Sequence, residues 1–494
     1  MLVPEATSPL TRAQRLTVLG VCSMSLLIVG LDATIVNVAL PSIRSSLHAS
    51  LSGLQWTIDA YTLVIASLLM LAGSTADRVG RKRTFQTGLA VFSLGSLLCT
   101  LAPNLGLLIA FRTMQAVGGS MMNPVAMSII RNVFEDPRER AQAIGVWGAM
   151  FGLSIALGPV VGGALVDSVG WRSVFLVNVP VGAIAIVLTA IYVPESRAPS
   201  ARRLDPVGQL LVIAGLASLT YAIIEAPRRG WGATEIVVLL VVAVTSFAGL
   251  IRYELRRHQP LLEMRFFASA PFSGASVTAV AAFAAQGGFL FLNTLYLQDV
   301  RGLSPFHAGL YLLPMAVMLL ICAPLSGRLV GRGHARWPMV GGGLALTASA
   351  LMLTQLATHT SPAYLIGAYV LFGLGMGQLN PPITNTAVSG MPPSQAGVAA
   401  SVASTSRQVG VTLGVAVLGA IAGAGVTGRI GSGFAEATHP AWWTVVGLGV
   451  LILAMAILTT TGWAQDTAAR TAERFREGRG SGPGASPSGV LESV

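Results

Sequence analysis

The chain is a succession of apolar runs separated by short, arginine-bearing turns. Each run is long enough to cross the ~30 Å hydrocarbon core of a bilayer as a helix of about 20 residues. The runs fall at 16–40, 54–73, 84–102, 105–130, 141–165, 173–193, 207–226, 234–252, 272–297, 306–330, 337–357, 362–388, 397–424 and 441–463. Fourteen such runs predict an all-α integral membrane protein, because lipid leaves no partner for a backbone group that is not bonded internally. An even number of crossings places both termini on one side. Composition agrees: only 10% of the 494 residues are charged, against about 25% in soluble domains.

The cations choose the side. With the termini cytoplasmic, 23 lysines and arginines fall in cytoplasmic segments and 6 on the opposite side, with Arg112 and Arg407 left within the membrane. That bias is the one short cytoplasmic loops carry. A net charge of +11 would otherwise suggest nucleic acid, but such proteins gather their cations on a soluble domain. The expected partner is the lipid bilayer, in a multi-pass inner or plasma membrane location, and not nucleic acid. Cys22, Cys99 and Cys322 all lie within apolar runs, so no disulfide framework or metal site is expected. The first run exceeds a signal-peptide core and lacks a cleavage site, so it is expected to remain as a membrane anchor.

The turn after the second run reads Gly73-Ser-Thr-Ala-Asp77-Arg78-Val-Gly80-Arg81-Lys82-Arg83. A related pattern, Gly327-x-x-x-Gly331-Arg332, follows the tenth run 254 residues later, and Asn123-Pro124 recurs 257 residues on as Asn380-Pro381. Two related halves are expected: a six-helix bundle over 1–195, two inserted helices with their links over 196–265, a second six-helix bundle over 266–465, and a tail over 466–494 that starts helical and continues disordered. The Gly73–Arg83 turn resembles the signature between helices 2 and 3 of major facilitator superfamily transporters. The run Leu31-Asp32-Ala-Thr34-Ile-Val-Asn37-Val-Ala-Leu40-Pro41 resembles the first-helix motif of that superfamily's fourteen-helix drug:proton antiporters, the EmrB/QacA type. The resemblance implies a 6 + 2 + 6 major facilitator fold with a substrate cavity between the halves near mid-membrane. It also makes Gly73, Asp77, Arg78, Gly80 and Arg81 a conformational gate, in which Asp77 caps or pairs across a helix end.

Ionisable groups at hydrocarbon depth are costly, so each is a functional candidate. Asp32, in the outer half of the first run, is either a helix-end residue near the interface or a buried proton carrier; the family motif, which also holds Asn37, implies proton coupling or substrate binding. Asp59, in Gln55-Trp56-Thr-Ile-Asp59-Ala-Tyr61, reads from its aromatic neighbours as an interfacial carboxylate. The resemblance instead implies a contact for cationic, lipophilic substrates. Arg112, permanently charged, sits in a stretch that resembles the family's R-x-x-Q-G motif, departing from it at Ala116-Val117. It would polarise a carboxylate of the first or second helix. Gly152-x5-Gly158-Pro159-Val-Val-Gly162-Gly163 permits close helix packing; as G-x(5)-G-P-x-x-G-G it matches the antiporter motif of exporters. Arg407 and Gln408 are equally readable as a structural brace or as cavity lining. Glu225 and Asp299 are expected to be solvated charges at the outer surface.

The six histidines form no H-x-x-x-H array, and no G-x-x-x-x-G-K-[ST] run is present. An enzyme or an ATP-driven pump is therefore not expected, nor any cofactor; a proton gradient would supply the energy. The expectation is a monomeric, proton-coupled secondary exporter of lipophilic drugs or antibiotics, cationic ones among them, working by alternating access. The alternative is an exporter dedicated to one endogenous metabolite or antibiotic, with an importer further behind.

Overall fold

The computed structural model describes residues 11–197, 204–257, 260–389, 391, 396–425, 430–431 and 433–480. Part of the expected links around the insert, the tail beyond Gly480, and Arg202, Arg203 and Arg429 of the charge count lie outside the described residues. Every regular element described is helical: α1 (Arg12–Leu47), α2 (Leu51–Val79), α3 (Arg81–Leu101), α4 (Leu105–Val133), α5 (Pro137–Ser168), α6 (Ser173–Leu176), α7 (Asn178–Tyr192), α8 (Pro206–Arg229), α9 (Thr234–Glu254), α10 (Ala270–Leu295), α11 (Pro305–Gly331), α12 (Arg336–Leu353), α13 (Pro362–Val388), α14 (Ala396–Ala424), α15 (Phe434–Ala437), α16 (His439–Leu458) and α17 (Gly462–Gly480). A 3₁₀ turn precedes α10, and a π turn over Tyr296–Val300 ends it.

Twelve helical segments among the described residues are long and apolar enough to cross a membrane. Helices α4 and α12 occupy the two further positions expected of spans but are more polar: α4 carries Arg112, Gln115 and Asn123, and α12 opens on Arg336-Trp-Pro. The run expected at 173–193 is broken into α6 and α7 around Val177.

Helix starts follow from local chemistry. Side chains of Thr11, Ser50, Asn104, Asp136, Asp205, Ser304 and Ser361 accept from backbone N–H groups of the first turns they precede. Proline opens α5, α8, α11 and α13, where its missing N–H has no partner to lose. Gly80 makes the sharp α2–α3 corner at φ +124°, a conformation L side chains rarely adopt.

Two groups of helices result. In the first, α1 packs on α5 and α7, α4 on α2 and α3, and α3 on α7; in the second, α10 packs on α13, α14 and α16, α11 on α13, and α12 on α13 and α16. The groups meet along two seams, α2 against α14 and α5 against α11, and α8 lies on both α2 and α14. One apolar core passes through both groups and includes Ile35, Leu54, Phe289, Phe291, Leu312 and Val415.

Polar contacts between the groups gather toward the end where α1 finishes and α2 begins, here called the upper end. Arg44 Nη2 donates to Asp299 Oδ1 at 3.1 Å, and Gln298 Nε2 to the Val38 carbonyl at 2.8 Å. Asp167 Oδ2, at the finish of α5, accepts from Ser304 Oγ at 2.8 Å and Phe306 N at 3.0 Å at the start of α11. Gly163 packs on Pro305 and Phe306, Pro159 on Gly309, and Gly152 on Leu320. Below that level, Gly145 and Gly148 of α5 and Gly327 and Gly331 of α11 have nothing within 4 Å of a Cβ position. Asp299 and Glu225 are not the solvated charges expected: Asp299 is ion-paired with Arg44, and Glu225 is 6% exposed and paired with Arg228 and Arg229.

Candidate functional site

Asp32 is completely buried, and it is the hub of a polar network joining five helices. Arg112 Nη1 on α4 donates to its Oδ2 at 2.5 Å, while Oδ1 accepts from Gln115 Nε2 (2.8 Å, also α4) and Asn178 Nδ2 (3.0 Å, the first residue of α7). Ser96 Oγ on α3 accepts from Gln115 Nε2 at 2.6 Å and from Asn178 Nδ2 at 3.2 Å. Arg112 also donates to Gln115 Oε1 (2.7 Å) and, through Nε, to the Thr57 carbonyl on α2 (3.2 Å). Its guanidinium lies 4.1 Å from the centroid of the Tyr61 ring and 5.6 Å from that of Phe175.

The carboxylate therefore has one cation and two amide donors and no water contact. Charge-assisted bonds of this kind are the strong ones, and a pair so enclosed is stable only while it stays complete. Protonating Asp32 would remove the charge that fixes Arg112, and the guanidinium could then re-aim only by breaking its bonds to α2 and to Gln115. The bonds around Asp32 thereby join the packing of α1, α2, α3, α4 and α7.

Of the expected partners, the structure gives Arg112 the first-helix aspartate and not the second-helix one. Asp59 is also fully buried, so it is not the solvated carboxylate its aromatic neighbours suggested. Thr62 Oγ1 donates to its Oδ1 at 3.4 Å, and Oδ2 has no hydrogen-bond partner. It stands on the face of α2 between Gln55, whose Nε2 donates to the Val415 and Ala416 carbonyls of α14 at 3.0 Å each, and Thr62, whose hydroxyl accepts from Thr412 at 2.9 Å. Asp59 thus belongs to the α2–α14 seam. Asn37 is turned to its own helix, Nδ2 donating to the Ala33 carbonyl at 3.2 Å, with Oδ1 buried and unpartnered.

The glycine motif of α5 is a double packing surface. A Cβ at Gly158 would strike Thr34, and one at Gly162 would stand 2.6 Å from Ile35, both on α1; one at Gly163 would lie 2.5 Å from the Pro305 carbonyl at the start of α11. Gly152 and Pro159 also face α11. At the lower end, Asp77 pairs with Arg81 of the next helix at 3.1 Å and does not reach across to the other group. Arg81 N donates to the Ser196 carbonyl, and a Cβ at Gly80 would stand 2.6 Å from Glu195, so the turn is pinned against the end of the first group. Gly73 faces Pro124 of α4 at 3.8 Å. Arg78 is exposed beside this turn.

Arg407 on α14 donates to Thr384 of α13 and lies 5.9 Å from the Phe283 ring centroid, while its Nε is buried without a partner. Gln408 supplies a carbonyl to Thr412 at 3.1 Å, within α14. The residues missed by sequence reasoning are Ser96, Asn178 and Tyr61. Asn178, a lone amide in an otherwise apolar run, was the one available signal.

The family model described as the Major Facilitator Superfamily matches residues 22–415. The chain is 38% identical over 412 residues to the multidrug resistance protein Stp of Mycobacterium tuberculosis, covering 83% of this chain and 76% of that protein. It is 37% identical over 420 residues to the tetracenomycin C resistance and export protein of Streptomyces glaucescens, covering 85% and 78%. Its fold resembles that of a bacterial homologue of the human lysosomal transporter Spinster, solved inward-facing and unoccupied, with a TM-score of 0.64, 19% identity, and coverage of 94% of this chain and 98% of that one. Many apolar spans, a buried ion pair and these matches together make the chain a multi-span membrane protein that belongs to the Major Facilitator Superfamily.

Proposed function

We propose that this protein is a proton-coupled exporter of lipophilic drugs or antibiotics, cationic ones among them, of the fourteen-helix EmrB/QacA type. In this reading α4 and α12 also cross the membrane, and both termini are cytoplasmic. Residues 1–195 and 266–465 are six-helix bundles, and 196–265 carries the inserted pair. The upper end faces outside, so the state described is closed to the outside. The chain works as a monomer, needs no cofactor, and draws its energy from the proton gradient.

The observation that carries this reading is the complete burial of Asp32 against Arg112. A titratable pair at that depth is a functional site by default, and this one ties five helices whose arrangement must change if the central cavity is to alternate. Asp59 and Asn37, buried with an unpartnered oxygen each, are the further contacts for proton or cargo. Gly152, Gly158, Pro159, Gly162 and Gly163 hold α5 between α1 and α11, where motion of one bundle passes to the other. The Gly73–Arg81 turn is the cytoplasmic gate, released in this state, and Arg407 with Gln408 lines or braces the cavity.

The test uses inverted membrane vesicles loaded with a fluorescent lipophilic cation from outside. Acidifying the lumen should drive dye inward, and Asp32→Asn, checked for normal membrane insertion, should abolish that uptake. Uptake unaffected by the pH difference, or full activity of the variant, would remove the reading. A narrower role is favoured by one observation: a relative of comparable similarity is named for resistance to and export of a single compound, tetracenomycin C. Export of one compound out of a broad panel would select that role.

A further inference from the structure

A buried acidic pair separate from the Asp32 network lies at the foot of the inserted hairpin. Asp205 caps the start of α8, Oδ1 accepting from Gly208 N at 3.0 Å, and Glu254 ends α9, Oε2 accepting from Leu261 N at 3.0 Å. Asp205 is 3% and Glu254 2% exposed, and the remaining oxygen of each, Asp205 Oδ2 and Glu254 Oε1, is buried without a hydrogen-bond partner. Both orphan oxygens face Gly208: a Cβ there would stand 2.6 Å from Glu254 Oε1 and 3.0 Å from Asp205 Oδ2. They are thus within about 6 Å of one another, the range over which like charges oppose each other's ionisation.

The described surroundings do not neutralise two charges. Among the described residues the charged or titratable groups facing the pair are Tyr253, near the end of α9, and Arg257, just beyond it. Arg257 Nη2 is 3.6 Å from Asp205 Oδ1, a loose contact at the rim. The contact from α2 is uncharged: Gln209, next to Gly208, donates to the Ser67 carbonyl at 2.6 Å. The second helical group approaches through the link at Leu261, whose contribution is its N–H. Among the described residues, one cation at the edge and two enclosed carboxyl groups leave one charge in excess.

We propose that Asp205 and Glu254 together bind one proton, shared between their orphan oxygens, and that this carboxyl–carboxylate pair is a clamp. Through it the anchor of α8 on α2 (Gln209 to Ser67) is joined to the end of α9 and to the link leading into the second group. The inserted hairpin, which lies on both α2 and α14, is then a strap across that seam, fastened at its foot by a proton distinct from the one at Asp32. On the orientation proposed above, this foot lies on the cytoplasmic side; the shared proton does not depend on that orientation.

The sign follows from linkage. Over the range where the folded pair keeps a proton that the separated carboxyl groups of the unfolded chain have released, the folded state binds more protons, so stability falls as pH rises, by up to tenfold in the folded-to-unfolded ratio per pH unit. The experiment is thermal unfolding of the purified full chain in detergent from about pH 6 to about pH 9, with hydrogen exchange at the Leu261 amide read in parallel. Wild type should lose stability and Leu261 protection toward alkaline pH. Glu254→Gln, whose neutral amide supplies the shared hydrogen permanently, should be flat over the same range. Arg257→Gln, which keeps both carboxyl groups, should move the loss to higher pH. A pH profile of Glu254→Gln that parallels wild type overturns the proposal. So does rescue of wild type at high pH by sodium, potassium, magnesium or calcium, which would make the pair a cation site. None of these readouts depends on export, so the clamp and the transport reading can fail separately.

Discussion

At the residue scale the organising fact is that, among the described residues, Asp32 and Arg112 are each other's only ionic partner, at 2.5 Å and 1% exposure or less. Removing one member of such a pair strands the other as an uncompensated buried charge, typically costing 3–5 kcal/mol, or about that. Arg112→Gln and Asp32→Asn should therefore each lower thermal stability markedly. The double variant should recover most of the loss, because two amides can bond to each other and to Gln115 and Asn178. Transport should not return in the double variant, since the hub then holds no carboxyl group and Asp59 alone lacks the Arg112 partner. A double-mutant cycle on stability, with dye uptake as the second readout, checks this; additive losses in stability would mean the two side chains are not coupled. Asp32 and Arg112 were legible in the sequence because charge at hydrocarbon depth is rare and expensive. Ser96, Asn178 and Tyr61 were not, since neutral polar side chains are common in membrane helices and one chain does not show which way each helix faces. The position of Asp59 was hidden for the same reason: Trp56 and Tyr61 suggested an interface, yet Tyr61 stacks on Arg112 and Asp59 meets the α14 seam.

At the element scale, α5 shows how a small-residue motif becomes mechanical. Its glycines touch α1 on one side and α11 on the other, so a change in the tilt of α1 is passed directly to the second group. Hydrophobic adhesion contributes little between helices in lipid, and close backbone approach takes its place. Gly158→Leu should force α1 and α5 apart at Thr34 and lower stability by roughly 1–3 kcal/mol, the usual effect of overpacking. Transport should fall by at least tenfold even in the fraction that inserts, as measured by uptake per folded molecule; native activity would mean the close approach is incidental. Helix existence and order were readable from apolar run length, which is why the fourteen segments foreseen all correspond to described helical segments. What run length could not supply was the break between α6 and α7. That break brings Asn178, at the first turn of α7, to Asp32, so an irregularity of the backbone completes the polar hub.

For the whole molecule, the question is whether the available energy and the observed seams suit an exporter. One proton crossing about 100 mV releases roughly 2.3 kcal/mol, enough for about a fifty-fold cargo gradient at 1.4 kcal/mol per decade. That energy acts on cargo only if the upper end, closed here, opens in another state. The contacts that must then part are Arg44–Asp299, Asp167 with the start of α11, and the Gln55 and Thr62 bonds from α2 to α14. Thr62 and Thr412 stand with hydroxyl oxygens 2.9 Å apart across that seam, close enough for a disulfide to replace the bond. In a background with Cys22, Cys99 and Cys322 replaced, Thr62→Cys with Thr412→Cys should cross-link under mild oxidation and stop uptake into acid-loaded vesicles; a reductant should restore it. Each single cysteine variant should be insensitive to oxidant, which separates locking from damage to the Thr62–Asp59 bond. Uptake that continues in the cross-linked protein would mean α2 and α14 never separate, and the opening would then have to occur along α5 and α11 alone, with the strapped seam as its hinge.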